Sequence, residues 1–299
     1  MLNITGHRKI WFAISTLFVG AALLAIAVFG FRQSAEFTGG TLWEFSAVAD
    51  QPAQADVQNF FAANLKLADA VVSYDAQHQL FLARFGAMSE PTHQADLSTL
   101  KAKWPSAAEL SFQSISPSVG ASLRTNALVG LGLVILGISL YIAYAFRKAS
   151  RPVSSWRYGW ITLLTLFHDV AIPAGLLALL GHFAHVEIDS DFIVALLVVM
   201  GFSVHDTIVV FDRIRENLLL NRSKEQFEKI VNDSVNQTLA RSINTSLTLI
   251  LVLLALYFVG PSNLQYFILT LLVGVTTGIY SSIFIASPLL VAVSGKERK

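Results

Sequence analysis

The sequence predicts an α-helical membrane protein with six transmembrane helices and a small α+β domain outside the membrane. Of its 299 residues, 54% are hydrophobic and only 14% are charged, and the mean hydropathy is +0.58. A soluble domain carries about 25% charged residues. The net charge of +1 gives no basis for nucleic-acid binding, and the absence of cysteine excludes disulfides and cysteine-based metal sites or nucleophiles.

Six segments are apolar over about the 20 residues needed to cross a bilayer. They comprise residues 10–31, 125–146, 158–181, 189–211, 243–260 and 264–293. The first lacks a clear small-residue cleavage site, which favours an uncleaved span over a signal peptide. The predicted divisions are 1–31 with the first span, a polar domain at 32–124, and a bundle at 125–299 with a charged loop at 212–242.

Lysine and arginine are concentrated in one set of alternating connections between the spans. These basic residues are Arg8, Lys9, Arg147, Lys148, Arg151, Arg157, Arg213, Arg215, Arg222, Lys224, Lys229, Arg241, Lys296, Arg298 and Lys299. The short connections 182–188 and 261–263 contain neither residue type. By the positive-inside rule, both termini are predicted to be cytoplasmic and 32–124 to be external.

The external segment predicts a small domain with the element order βαββαβ. Alternating apolar and aromatic residues indicate strands at 41–48, 70–74, 79–85 and 109–115, and helical spacing indicates helices at 53–65 and 89–103. This order is typical of the ferredoxin-like fold. The segment shows no nucleophile–base pair and no metal-ligand spacing. Its predicted role is therefore binding, and we predict that the chain is not an enzyme.

The loop 212–242 is amphipathic and admits two interpretations of equal weight. Its broken apolar face consists of Ile214, Leu218, Phe227, Ile230, Val231 and Val235. In one interpretation this face lies on the membrane surface. In the other, the loop forms a short helical hairpin that packs on the base of the bundle.

Asp206 is the carboxylate that most needs an explanation, because it lies inside the apolar part of the fourth span. At 1.5 Å per residue it is roughly 9 Å inside the boundary marked by Asp212. A charged residue near the centre of a span costs roughly 2.5–3.5 kcal/mol on insertion scales, which makes it a functional-site hypothesis. Arg241 begins the fifth span from the same side, so we predict that it reaches Asp206.

Other polar residues in the spans follow helical spacing, and we predict that they turn inward to line one polar seam. They are His168 and Asp169 on the third span, Ser203, Asp206 and Thr207 on the fourth, Arg241, Asn244, Thr245 and Thr248 on the fifth, and Thr270, Gly274, Thr277 and Ser281 on the sixth. The pair Gly274 and Gly278 also permits close helix approach.

Each candidate also has a structural interpretation. Asp206 is then a hydrogen-bonded helix contact, Asp169 a neutral buried carboxyl, and Arg241 a side chain that extends to the interface. His168 and His205 each stand beside an aspartate in sequence, so neither shares that aspartate's helix face, and a packing role is favoured for both. Asp212 is interpreted as an interfacial anchor.

Several motifs resemble the bacterial SecF family. They are Phe37-Thr38-Gly39-Gly40, Ser118-Val119-Gly120, the run from Gly201 to Asn217, and the run from Arg241 to Thr248. The resemblance covers nearly the whole chain, and the stretch from Asp206 to Asn217 is its most specific part. Two positions depart from the family pattern: His205 stands where asparagine is usual, and Glu36 where aspartate commonly precedes Phe37.

The resemblance implies a fold, partners and a location. The six spans are then one half of a bundle of the resistance-nodulation-division type, in the bacterial cytoplasmic membrane. The implied partners are SecD, the SecYEG channel with SecA, YajC and YidC, exported polypeptides and membrane lipid. No cofactor is implied other than the proton as coupling ion.

The function that follows is coupling of the proton motive force to polypeptide export. A buried carboxylate favours its neutral form and a nearby guanidinium favours its charged form, so Asp206 and Arg241 are predicted to carry and exchange the proton. The possible secondary network is His168, Asp169, Ser203, His205, Thr207, Asn244 and Thr248. Two alternatives remain: half of a proton-coupled exporter of small molecules or lipids, and a non-energised assembly factor.

Overall fold

The computed structural model describes residues 2–76, 79–146, 154–220 and 226–294. The basic residues at 147–151, 222–224 and 296–299, which were used to predict the orientation in the membrane, fall outside this part of the chain. The chain forms two compact units, one from Met1–Arg32 with Val129–Lys299 and the other from Gln33–Leu128.

Helices and strands are numbered in chain order. The helices are α1 (Arg8–Phe29), α2 (Ala35–Thr38), α3 (Gln54–Ala63), α4 (Glu90–Lys103), α5 (Pro117–Ala145), α6 (Ser155–Phe183), α7 (Ser190–Leu220), α8 (Phe227–Val259), α9 (Gln265–Ser281) and α10 (Ser287–Ser294). The strands are β1 (Gly40–Ser46), β2 (Val71–Asp75), β3 (Leu80–Phe85) and β4 (Ala108–Ile115). A 3₁₀ turn at Ser262–Leu264 precedes α9, and a π-helical segment, Ser282–Ala286, joins α9 to α10.

Six helices in the described residues have the length and apolar composition needed to cross a membrane, which confirms a multi-pass membrane protein. They are α1, α5, α6, α7, α8 and the continuous run from Gln265 to Ser294. Several helices are longer than predicted: α5 begins at Pro117 rather than 125, α7 continues to Leu220 and α8 begins at Phe227. Hydropathy marks the apolar part of such a helix and not its polar extensions.

The Gln33–Leu128 unit has the predicted ferredoxin-like topology. Its antiparallel sheet has the strand order β2-β3-β1-β4, with β1 between β3 and β4. One face of the sheet packs on α3 and α4 around Trp43, Phe45, Phe61 and Leu100, each fully buried. The period-two pattern of β1 places Trp43 and Phe45 on this face, which explains why the sequence identified the strand.

Two of the sequence motifs meet in this unit. Gly39 and Gly40 have φ values of 76° and 128°, where a side chain would be strained. A Cβ on Gly39 would lie 2.6 Å from the Pro117 Cα, and a Cβ on Gly120 would lie 2.9 Å from the Gly39 nitrogen. The glycines therefore allow the turn before β1 to contact the start of α5.

Within the segment 212–242, residues 212–220 belong to α7 and residues 227–242 belong to α8, and these two helix ends pack on each other. The apolar face predicted for this segment is buried at Ile214, Ile230, Val231 and Val235, and all of these except Ile230 lie in the same core cluster as Phe211. The interpretation as a surface-lying loop is therefore wrong: α7 and α8 extend beyond their apolar parts and pack on the bundle, because their apolar residues continue at helical spacing.

Residues 2–6 are fixed across the beginning of α8. Asn232 Oδ1 accepts from the Ile4 N–H at 2.9 Å, and Asn236 Oδ1 accepts from the Leu2 N–H at 2.9 Å. The amides of both asparagines donate to the Leu2 carbonyl. Two asparagines four residues apart on one helix face thus provide hydrogen-bond partners for backbone groups of this N-terminal segment.

Candidate functional site

The site is built on α7, which packs against α6, α8 and α9. Close approach of α9 depends on two glycines one turn apart. A Cβ on Gly274 would overlap the methyl groups of Val199, and a Cβ on Gly278 would lie 3.3 Å from the Ser203 Cβ. Both glycines are buried. The predicted small-residue stripe therefore brings α9 against α7, so that short polar side chains from different helices can bond directly.

Asp206 is buried, with 2% of its surface exposed. Its Oδ2 has no hydrogen-bond partner among the described residues. A buried polar atom without a partner costs free energy, about 1–3 kcal/mol in proteins and more for a charged group. The structure thus confirms that Asp206 is buried, and it shows no hydrogen-bonded helix contact at Oδ2.

Asp169 has the opposite environment. It is fully buried on α6, and its Oδ2 accepts hydrogen bonds from Ser203 Oγ at 2.5 Å and from Ser281 Oγ at 2.6 Å. Its Oδ1 lies 2.8 Å from His168 Nδ1. Three helices therefore meet at this one carboxyl group.

A second polar contact between helices lies further along α7. Thr207 and Ser282 are fully buried, and their hydroxyl oxygens are 2.8 Å apart. Ser282 begins the π-helical segment, and Ser287 Oγ bonds the Ser282 carbonyl at 3.3 Å. Short π-helical segments within α-helices occur frequently at functional sites. Helical spacing predicted Thr207 as part of the network but not Ser282 or Ser287, since no spacing pattern distinguishes a π-helical segment.

The fifth span departs from the predicted seam. Arg241, Asn244, Thr245 and Thr248 are all exposed on the surface of this chain. Near them, α8 buries Ser242 and Ser246 instead. Neither serine Oγ has a partner in the described part of the chain. The predicted inward orientation of the Arg241 face is thus wrong for this chain by itself: Arg241 forms no ion pair with Asp206 in this arrangement.

The two histidines also differ from expectation. His168 is buried, and although it precedes Asp169 in sequence its ring bends back to bond that carboxyl group. His205 is exposed rather than packed between helices. The rule that successive helical residues point apart describes Cβ directions, and the longer imidazole side chain overcomes it at His168.

The charged end of the motif forms contacts within α7 and with α8. Asp212 pairs with Arg215 at 2.9 Å and Arg213 with Glu216 at 2.7 Å, each three residues apart on α7. Asn217, which is buried, donates to Ser234 Oγ on α8 at 2.8 Å. Asn217 therefore fixes α7 to α8, whereas Asp212 pairs within α7, and its role as an interfacial anchor stays a prediction.

No group of three or more His, Asp and Glu side chains suited to hold a metal ion occurs within the described ranges. What the site offers chemically is carboxyl, imidazole and hydroxyl groups that can bind and release protons.

Comparison with known proteins identifies relatives of this chain. A family model for the protein export membrane protein SecD/SecF, C-terminal, matches residues 96–296. The protein translocase subunit SecF of Thermobaculum terrenum is 41% identical over 99% of this chain and 95% of its own length. The chain belongs to the SecD/SecF family of protein-export membrane proteins. SecF of Anaerolinea thermophila is 37% identical over 97% of this chain and 94% of its own.

Within the SecD/SecF family, a longer architecture includes this one. Protein translocase subunit SecDF of Thermus thermophilus is 37% identical over 93% of this chain, which spans only 37% of that protein. The crystal structure of SecDF, a translocon-associated membrane protein from Thermus thermophilus, matches 98% of this chain with a TM-score of 0.80 and 35% identity. The fold is thus one half of a resistance-nodulation-division-type architecture, in which SecD and SecF occur fused or paired.

Proposed function

We propose that this chain is the SecF half of a protein-export accessory that uses the proton motive force, with Asp206 as its proton carrier. The observation that carries the proposal is the state of Asp206: buried, on a membrane helix, with an oxygen that nothing in the described chain bonds. Such a carboxyl group is stable when protonated and needs a counter-charge when it is not. That difference is what a proton-driven cycle requires.

The exposed polar face of α8 supports a partner half. Arg241, Asn244, Thr245 and Thr248 project from this chain along a membrane-spanning helix. Polar side chains exposed to lipid are costly, so a second set of helices is needed to cover them. The proposed cover is SecD, and its arrival would bring Arg241 into a protein interior, where it can serve as the counter-charge for Asp206.

The remaining assignments follow from the same proposal. The chain lies in the bacterial cytoplasmic membrane with both termini cytoplasmic and the Gln33–Leu128 unit external. It acts with the SecYEG channel and SecA, with YajC and YidC as further partners, on exported polypeptides. Moving one charge through the membrane potential supplies about 2.3 kcal/mol per 100 mV, which biases a two-state bundle, although several protons are needed for a complete shift.

The experiment compares two aspartates on α7. The chain and its SecD half are reconstituted in vesicles with SecYEG and SecA, and export is measured with and without a proton gradient. Asp206→Asn keeps the size of the side chain and is expected to abolish the stimulation by the gradient. Asp212→Asn, at an exposed ion pair, is the matched control and is expected to keep it.

Undiminished stimulation in Asp206→Asn, at normal protein levels, contradicts the proton-carrier role. Gradient-dependent efflux of a small molecule or lipid without any effect on export would instead support the exporter. Equal export with and without the gradient in the wild type would support a non-energised assembly factor.

A further inference from the structure

We propose that Asp169, with His168, is a second proton-binding centre of this chain, separate from Asp206. The inference rests on the proposed proton-driven function, but it concerns a different helix and a different set of contacts. The centre lies where α6, α7 and α9 meet, and its members are Asp169, His168, Ser203 and Ser281, all buried. Its distinguishing property is that the hydrogen bonds can be satisfied in both protonation states.

The hydrogen bonds in the structure satisfy the charged state of Asp169. Asp169 Oδ2 accepts from two serine hydroxyls, at 2.5 and 2.6 Å, and Oδ1 accepts from His168 Nδ1–H at 2.8 Å. A carboxylate has about four acceptor positions, so three donors stabilise it well. No lysine or arginine among the described residues pairs with it, so the hydroxyl and imidazole dipoles carry the whole stabilisation.

The neutral state keeps the same contacts. His168 Nε2 is buried and has no hydrogen-bond partner in the described chain, so it is the free acceptor of the centre. A proton that binds at Nε2 allows the Nδ1 proton to pass to Asp169 Oδ1. The new carboxyl O–H then donates to Nδ1, while Oδ2, now a carbonyl oxygen, still accepts from both serines. The entering proton forms the Nε2–H bond, the Nδ1–H bond breaks and the Asp169 O–H bond forms, so the dyad gains one proton in total. The contact between Nδ1 and Oδ1 remains with its donor and acceptor exchanged, and neither serine hydrogen bond is lost.

Backbone irregularities coincide with the centre. Pro173 lies four residues after Asp169 within α6, and its missing N–H leaves the Asp169 carbonyl without its helical partner. Ser281 immediately precedes the π-helical segment Ser282–Ala286. The two helices that supply the carboxyl group and one of its donors are therefore both interrupted at this level, whereas a purely structural helix contact needs neither interruption.

The other titratable groups near the dyad are few. Tyr280 on α9 stacks on the His168 ring, with centroids 6.0 Å apart, and its hydroxyl bonds the Trp11 carbonyl and Ser15 on α1. Asp206 lies three residues after Ser203 on α7, about one helical turn away, and His205 beside it is exposed. Ser203 thus bonds Asp169 and lies about one helical turn from Asp206 on the same helix.

Infrared difference spectroscopy tests the proposal, because protonated carboxyl groups have a separate carbonyl band. The complete chain, purified with its partner half in lipid, is titrated with acid, and spectra of variants are subtracted from those of the wild type. We expect one pH-dependent acid band that is absent in Asp169→Asn and another that is absent in Asp206→Asn. Thr165→Val removes a buried hydroxyl on α6 that bonds only carbonyls of its own helix, and it is expected to keep both bands.

A second variant keeps the test decisive if Asp169→Asn does not fold. Ser281→Ala leaves the carboxyl group but removes one donor, so the Asp169 band should change frequency while the Asp206 band does not. The proposal is overturned if Asp169→Asn or, failing that, Ser281→Ala leaves every pH-dependent band unchanged. That result would leave the Asp206 proposal intact, since the latter fails only if Asp206→Asn retains gradient-stimulated export.

Discussion

Asp169 and Asp206 are buried carboxyl groups on neighbouring membrane helices, yet their surroundings differ. Asp169 receives hydrogen bonds from α7 and α9 and from its own helix, whereas Asp206 Oδ2 receives none from the described chain. Burial alone therefore does not define a proton site, because the number of hydrogen-bond donors determines the free energy of each protonation state. Asp169 has its hydrogen-bond donors within this chain, whereas Asp206 Oδ2 has none among the described residues.

Removal of the Arg241 charge should have the largest effect, because it affects Asp206 and leaves the donors of Asp169 in place. If Arg241 becomes the counter-charge of Asp206 in the complete assembly, Arg241→Met leaves a buried carboxylate unpaired, which costs about 3–5 kcal/mol. Gradient-dependent export should then fall by more than tenfold. Arg241→Lys should retain part of the activity, because the charge remains while the planar fork is lost.

The matched control is Arg215→Met, which breaks an exposed ion pair with Asp212 and should cost little. Reconstituted export at several gradients measures all three variants. If Arg241→Met works nearly as well as the wild type, Arg241 only extends to the interface and Asp206 has another counter-charge or none.

A smaller effect is expected when the donors of Asp169 are displaced. A Cβ on Gly278 would lie 3.3 Å from the Ser203 Cβ and 3.8 Å from Asp169 Oδ2, so Gly278→Ala requires Ser203 to shift by a few tenths of an ångström. Overpacking of this kind costs about 1–3 kcal/mol. Thermal unfolding of the purified protein in detergent should show a lower Tm.

Gly132→Ala on α5 is the control, since nothing lies within 4 Å of the added atom. It should leave the Tm unchanged or slightly raised, because alanine favours helix over glycine. Equal Tm values for Gly278→Ala and the wild type would show that the contact is looser than described.

Much of the fold was predictable because its signals are local. Long apolar runs defined six spans, and the period-two pattern around Trp43 and Phe45 defined a strand of the ferredoxin-like unit. The ends of α7 and α8 were not predictable from hydropathy, since Ile214 and Val235 continue the helix face among charged residues. There the helical period was the informative signal.

The site was predictable only in its residue types. The position of Asp206 inside an apolar helix identified it, but no sequence pattern states whether α8 turns Arg241 or Ser242 inward. Helical spacing defines a face and not the neighbour that the face meets. In a chain that forms half of an assembly, a polar face is ambiguous, because it can line an internal seam or the boundary with the other half.

The same contrast between bonded and desolvated carboxyl groups recurs, with the smallest effects, in the Gln33–Leu128 unit. Burial raises the pKa of Glu44, against a smaller opposing effect of Arg84, whereas hydrogen bonds from Ser106 lower the pKa of Asp50. The raised pKa of Glu44 contributes stability below its ordinary value of 4.5, and this contribution is lost as the pH rises through the folded-state pKa. For Asp50 the contribution is present above 3.8 and is lost as the pH falls.

Glu44→Gln removes a carboxylate whose burial is unfavourable, so it should slow amide hydrogen exchange in this unit by a few fold at neutral pH. It should have little effect below pH 4.5, where Glu44 is protonated. Asp50→Asn should do the reverse at neutral pH, with faster exchange around Ser106. Exchange measured by mass spectrometry on the whole protein, with variants compared at equal pH, gives both values. Exchange changes of the same sign in the two variants would contradict the assigned causes.

Proton flux through the reconstituted complex is the most direct measurement of the role of Asp206 as proton carrier. Vesicles that contain the chain, its SecD half and the export channel carry a pH-sensitive dye in the lumen, and flux is recorded as an exported polypeptide is supplied. We expect polypeptide-dependent proton movement in the wild type and in Asp212→Asn, and none in Asp206→Asn. Proton movement of wild-type size in Asp206→Asn would contradict that role.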